Sequence, residues 1–139
     1  MRLSFMSLLL FVLVWVASGQ NTLTIKINNL RNNNGIVWLE LLNEKGLNLK
    51  GVSARVIDNS CTITIENLSQ SKYAFKYFHD ENNNKKLDTN WLGIPTEGFG
   101  YSNNAKSMFG PPDFEKTIFE LQQNTTLECL VMYLKIKPK

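Results

Sequence analysis

The chain has 139 residues with 15 Lys and Arg against 12 Asp and Glu, a formal charge of +3. A balance this even gives no electrostatic footprint for nucleic acid, and the length suits one domain with one hydrophobic core. Two cysteines with no Cys-x-x-Cys spacing, and a single histidine, exclude a thioredoxin-like redox motif and a structural zinc site.

Residues 1–19 read as a signal peptide. Arg2 supplies the positive start, Leu3 to Val16 is apolar apart from Ser4 and Ser7, and Ala17-Ser18-Gly19 offers small residues for cleavage before Gln20. The apolar run falls short of the roughly 20 residues that span a bilayer, so stable membrane insertion is not expected after cleavage. Residues 20–139 then form the mature domain, periplasmic or extracellular.

Leu23, Ile25 and Ile27 alternate with Thr24, Lys26 and Asn28, the period of a half-buried strand. Asn34-Gly35 turns the chain into a second strand from Ile36 to Leu42. After a polar turn through Gly46 come a third strand near Val52 to Ile57 and a fourth at Cys61 to Ile65. The fifth runs from Tyr73 to Phe78, with Tyr73, Phe75 and Tyr77 on one face. Periodicity stops at Asp80 and returns in Thr117 to Leu121 and Leu127 to Ile136, where Lys135, Lys137 and Lys139 read as solvent-facing guards of a last strand. About seven strands without a helix predict an all-β protein, a single antiparallel β-sandwich of immunoglobulin-like or prealbumin-like kind.

One long loop separates the predicted fifth and sixth strands. Loops beyond about 12 to 15 residues are usually functional or disordered. This one carries Trp91, Leu92, Ile94, Phe99, Tyr101, Met108, Phe109 and Phe114, enough apolar area to order itself, with Gly and Pro pairs to turn and stiffen it.

At the head of that loop, oxygen-bearing side chains recur at Asp80, Asn82, Asn84 and Asp88. A hard cation such as calcium is wrapped this way, with side-chain ligands at loop positions 1, 3, 5 and 9 and a backbone carbonyl, here of Lys86, at position 7. Trp91 stands where a bidentate Glu would close the site, so Glu97 has to fold back to complete it. The competing reading is a set of Asx-turns that needs no ion. No organic cofactor is implied.

Cys61 and Cys129 both lie on the apolar phase of their strands. In an oxidising compartment they meet as a disulfide or remain two buried thiols acting as small hydrophobes, and the sequence leaves both readings open.

Phe78-His79-Asp80-Glu81-Asn82, Lys86-Leu87-Asp88-Thr89-Asn90, Gly93-Ile94-Pro95, Glu97-Gly98-Phe99-Gly100-Tyr101-Ser102-Asn103-Asn104 and Phe109-Gly110-Pro111-Pro112-Asp113-Phe114 occur in this order. With these residues the chain resembles the bacterial secreted proteins grouped as domain of unknown function 2141, from the strand at Leu23 to that near Ile136. The resemblance implies a small exported β-sandwich and assigns no activity. It also marks a departure: the family loop commonly has glycine at the places held here by Asn83 and Lys85, and Lys tolerates a left-handed backbone poorly.

His79 is in phase with Phe75 and Tyr77 and reads as a hydrogen-bonded residue at the loop base. Successive strand residues face opposite ways, so Asp80 does not orient it as in a triad. Ser102 lacks the final glycine of a nucleophile elbow. The expectation is a noncatalytic exported protein whose loop forms a recognition surface for an extracytoplasmic protein or glycan, with His79, Trp91, Phe99, Tyr101 and Asn103 facing the ligand. The alternatives are a small hydrolase using carboxylates of the same loop, among them Asp80, Asp88, Glu97, Asp113 and Glu115, and a structural envelope protein.

Overall fold

A computed structural model describes residues 19–135. The expected signal peptide, Gly19 apart, lies outside the described residues, as do Ile136, Lys137 and Lys139. The fold is all-β, with two sheets packed as a sandwich. Among the described residues there are eight strands and no helix long and apolar enough to cross a membrane.

The smaller sheet has the order β4-β1-β8, from β1 (Asn21–Asn28), β4 (Cys61–Leu68) and β8 (Thr125–Leu130). The larger has the order β3-β2-β5-β6, from β2 (Ile36–Asn43), β3 (Asn48–Arg55), β5 (Ser71–Asp80) and β6 (Gly98–Tyr101), with β7 (Phe119–Leu121) also on β5. Pairing is antiparallel except between β1 and β8, which run parallel. Parallel neighbours need a long crossover, and here the whole intervening chain supplies it.

The alternation expected of β1 is observed: Leu23, Ile25 and Ile27 are fully buried. They meet Ile63 and Ile65 of β4, and Val37, Leu39, Leu41, Phe75 and Tyr77 of the facing sheet, in one core. Burying each large side chain contributes about 1.5 to 3 kcal/mol, and Phe75 packs edge-on against Phe119 at 5.6 Å between centroids.

The strand missed by periodicity is β6. Its Gly98 and Gly100 face the core, where a Cβ would lie 2.4 Å from Val131 and 2.2 Å from the Tyr77 hydroxyl respectively. Glycine alternates here because neighbouring side chains already occupy the space. β3 begins earlier than expected, at Asn48, and β8 stops at Leu130; among the described residues after it, Met132 bridges to Phe99.

Of the two readings open for the cysteines, the structure has the buried thiols. Cys61 and Cys129 are both free and buried, and the register explains why: each pairs across from Ile27, one from either side of β1. Two strand spacings, roughly 9 to 10 Å, separate them, whereas a bridge needs Cα atoms within about 7 Å. Burial pushes both thiols up to about 11, the behaviour of small hydrophobes.

Candidate functional site

β5 is the longest strand, and its last residues enter the loop with opposite orientations. His79 points into the sandwich and Asp80 away from it, yet both are fully buried. His79 Nε2 donates to the Asn34 carbonyl at 2.6 Å, and Nδ1 lies 3.0 Å from the Tyr133 hydroxyl. That hydroxyl accepts the Arg31 amide at 3.1 Å, so its own proton is available to His79. Burial pushes Tyr133 above the usual phenol range, which keeps that proton in place. The Arg31 guanidinium caps the Tyr133 ring at 4.7 Å and pairs with Glu81 at 2.6 Å. His79 is therefore the polar pin at the base of the loop and does not reach the surface.

Asp80 gathers the loop from the other side. One carboxylate oxygen accepts the Asn84 amide at 3.0 Å, and the other accepts the Lys85 amide at 2.8 Å and the Trp38 indole at 3.1 Å. Asn82 and Asn84 each direct a side-chain amide at Asp88, at 2.6 and 2.7 Å. Glu97 folds back onto the same loop: its two oxygens accept the amides of Glu81 and Asp88 at 2.9 and 3.1 Å. All the side chains assigned to calcium thus converge on one loop. Each carboxylate oxygen of Asp80, Asp88 and Glu97 accepts at least one hydrogen bond from the protein itself. Asn84 and Lys86 also close Asx-turns, their amides bonded to Asn82 and Asn84 Oδ1. Among the described residues, no three His, Cys, Asp or Glu side chains form a ready-made metal cluster.

The glycine-poor departure leaves its mark in the backbone. Asn83 and Lys85 have φ of +58° and +63°, the left-handed conformation that glycine adopts without strain.

Folding the loop back over Asp80 leaves an open groove of about 450 Å³ on the outer face of the larger sheet. Two cross-strand rows floor it. Trp38, Phe78 and Phe99 stand in register on β2, β5 and β6, and Gly51, Glu40, Lys76 and Tyr101 form the next row. Glu40 and Lys76 pair at 3.0 Å, and Phe99 and Tyr101 meet edge to face at 6.2 Å. Leu87 and Lys85 wall the groove from the loop, and Asn48 contributes from β3.

Of the residues expected to face a ligand, Phe99 and Tyr101 line this groove. Trp91 is exposed on a turn elsewhere. Asn103 is turned to the fold: its amide donates to the carbonyls of Lys116 and Ile118. Ser102 is fully buried and takes the Phe75 amide, so it is a clamp between segments. Sequence reasoning missed Trp38, Phe78, Leu87 and Gly51. A signal existed in β2, where Ile36-Val37-Trp38-Leu39 is apolar on both phases while β1 is apolar on one.

No curated protein and no solved structure matches the chain. A family model described as an uncharacterized protein conserved in bacteria matches residues 25–128, which takes in β2 to β7 whole, parts of β1 and β8, and the entire loop. The chain belongs to this family, domain of unknown function 2141.

Proposed function

We propose that the chain is an exported, noncatalytic binding module whose ligand, a glycan, lies in the groove on the outer face of the larger sheet. The observation that carries this reading is the aromatic row Trp38, Phe78 and Phe99 beside the polar row Glu40, Lys76 and Tyr101. A sugar ring has apolar C–H faces that stack on such rings and hydroxyls that bond to such a rim. The nearby carboxylates of Asp80 and Glu97 are buried and bonded to backbone amides, which favours a scaffold role over acid or base catalysis.

Gly51 provides the test. A Cβ built there meets nothing within 4 Å, so Gly51→Phe fills the groove without disturbing the core. Calorimetric titration with a panel of soluble oligosaccharides is expected to find binding that Gly51→Phe abolishes while the melting temperature holds. Absence of binding across the panel, or binding indifferent to Gly51→Phe, overturns the reading.

A second reading, that calcium organises the loop, is favoured by the return of Glu97 and by an all-oxygen donor set of Asp80, Asn82, Asn84, Asp88 and the Lys86 carbonyl. Binding would require Asn82 and Asn84 to offer oxygen where they now offer the amide nitrogen to Asp88. Millimolar calcium is then expected to raise the melting temperature by mass action, chelator to reverse it, and Asp88→Asn to remove the response. A melting curve indifferent to both leaves the loop as an Asx-turn scaffold.

A further inference from the structure

The outer face of the larger sheet continues past β6. Phe99 and Met132 exchange both backbone hydrogen bonds: the Phe99 amide donates to the Met132 carbonyl at 3.0 Å, and the Met132 amide to the Phe99 carbonyl at 2.8 Å. Residues opposed in this way present their side chains on one face, so the row Trp38, Phe78 and Phe99 runs on into Met132. Val131 beside it is buried, whereas Met132 and Leu134 line a cleft of about 380 Å³. The loop walls the other side with Ile94, Pro95, Met108 and Pro111. Cleft and groove share Leu87, Phe99 and Tyr101, so one trough crosses β6 from the first into the second.

The two halves of the trough differ in chemistry. The groove sets aromatic rings beside the Glu40–Lys76 pair, Lys85 and Asn48. No charged side chain lines the cleft among the described residues, and apart from the shared rings its walls are aliphatic. Its polar side chains are Thr89, Ser107 and the shared Tyr101, and the Ser107 hydroxyl already bonds the backbone of Phe109. A second sugar placed there would leave most of its hydroxyls without partners, which opposes its burial. A hydrocarbon chain has no such groups and gains by leaving water. Met108 and Met132 suit it, because unbranched thioethers adapt to the shape of an apolar guest.

We propose that the ligand of this trough is an amphiphilic glycoside, a sugar bearing one hydrocarbon chain, taken up as a single molecule. The sugar lies over Trp38 and Phe78 beside Glu40 and Lys76, and the chain crosses Phe99 into the cleft. This deepens the glycan reading and rests on it.

The test uses the chain from Gln20, which retains all eight strands and every core residue. Calorimetric titration with n-alkyl β-glucosides and β-galactosides from methyl to octyl, each kept below micelle formation, is expected to show affinity rising about two- to fourfold per methylene, the upper value being full burial. Gly51→Phe should weaken every member of the series. Met132→Ser with Leu134→Ser should flatten the rise and leave the methyl glycoside as it was. Met108→Ser with Leu134→Ser, at two exposed positions, should act in the same direction even if the first pair lowers the melting temperature. A flat series beside oligosaccharides that bind and respond to Gly51→Phe overturns this inference and leaves the glycan reading standing; failure of glycosides and oligosaccharides alike overturns both. The inference also falls if octanol binds as tightly as the octyl glycoside, if binding appears only above the micelle threshold, or if the cleft variants abolish self-association of a chain that takes up no glycoside.

Discussion

The two ends of the long excursion after β5 treat their side chains in opposite ways. From Asp80 to Asp88 the segment is polar and full of groups with chemical potential, and the fold turns nearly all of them inward onto its own amides. From Trp91 to Phe109 it is rich in residues that read as core, and the fold leaves the largest of them in solvent. Polar residues that read as a site are hydrogen-bonded within the chain, and apolar residues that read as packing lie in solvent. The cause is the absence of a partner layer: a sheet edge and one short strand, β6, offer too little area to cover a loop of this length, whereas Asx side chains satisfy themselves locally wherever the chain turns.

The sharpest way to break the comparison is at its polar end. Asp80→Ala removes the acceptor for the Asn84 and Lys85 amides and the Trp38 indole in a fully buried position. Bonds to a charged group are worth about 1.5 to 3 kcal/mol each, and orphaned donors add to the loss, so destabilisation of about 3 to 5 kcal/mol is expected in urea titration. A loss below about 1 kcal/mol would show that apolar contacts, rather than Asp80, hold the loop down.

Gly100→Val tests the seam between the two ends. Its Cβ would meet the Tyr77 hydroxyl, which donates to the Leu130 carbonyl at 2.9 Å. Overpacking here should cost about 2 to 3 kcal/mol and raise amide exchange along β6 first.

The buried thiols give a milder effect, visible only in alkali. Both rise from 9.0 to about 11 on folding, so the folded chain retains protons that the unfolded chain releases. Their contribution is complete below pH 9 and is lost as pH climbs toward 11, about 1 kcal/mol per thiol by pH 10. Burial raises Tyr77 as well, in the same sense. Denaturant midpoints from pH 7 to 10 check this, and thiol titration should find two slow groups that react at once on unfolding. No thiol in the unfolded, unreduced chain would restore the disulfide.

Much of the sandwich was legible because one-sided burial writes itself as alternation: β1, β2, β4 and β5 all fall where Leu23, Val37, Ile63 and Phe75 set the phase. β6 was illegible because its inward positions are glycines, chosen by the bulk of Tyr77 on β5 and of Val131 and Tyr133 beyond β8, which a local window does not see. In the loop, the spacing of Asp80, Asn82, Asn84 and Asp88 already brought these side chains into one turn, where they bond to one another and to nearby amides. The groove was not, since Trp38, Phe78 and Phe99 become neighbours only through strand register. The separation of the thiols likewise depends on β8 lying beside β1 in parallel, a fact of topology that two in-phase cysteines do not encode.

The smallest expected effect sharpens what the polar end gave up locally. Lys85 sits at a φ of +63°, with its amide held by Asp80 at 2.8 Å, so the backbone cannot relax without breaking that bond. A left-handed conformation costs a residue with a Cβ roughly 1 to 2 kcal/mol, and glycine escapes that cost but loses more freedom on folding, about 0.5 to 1 kcal/mol. Lys85→Gly is therefore expected to stabilise the chain by about 0.5 to 1 kcal/mol. Asn83→Gly, at a φ of +58°, should gain only a few tenths, because Asn already tolerates this region. The measurement is the urea midpoint of each variant and of the pair, with the slope unchanged. A Lys85→Gly midpoint below that of the parent chain would mean that the lysine side chain, which lines the groove, contributes more than the strained backbone costs.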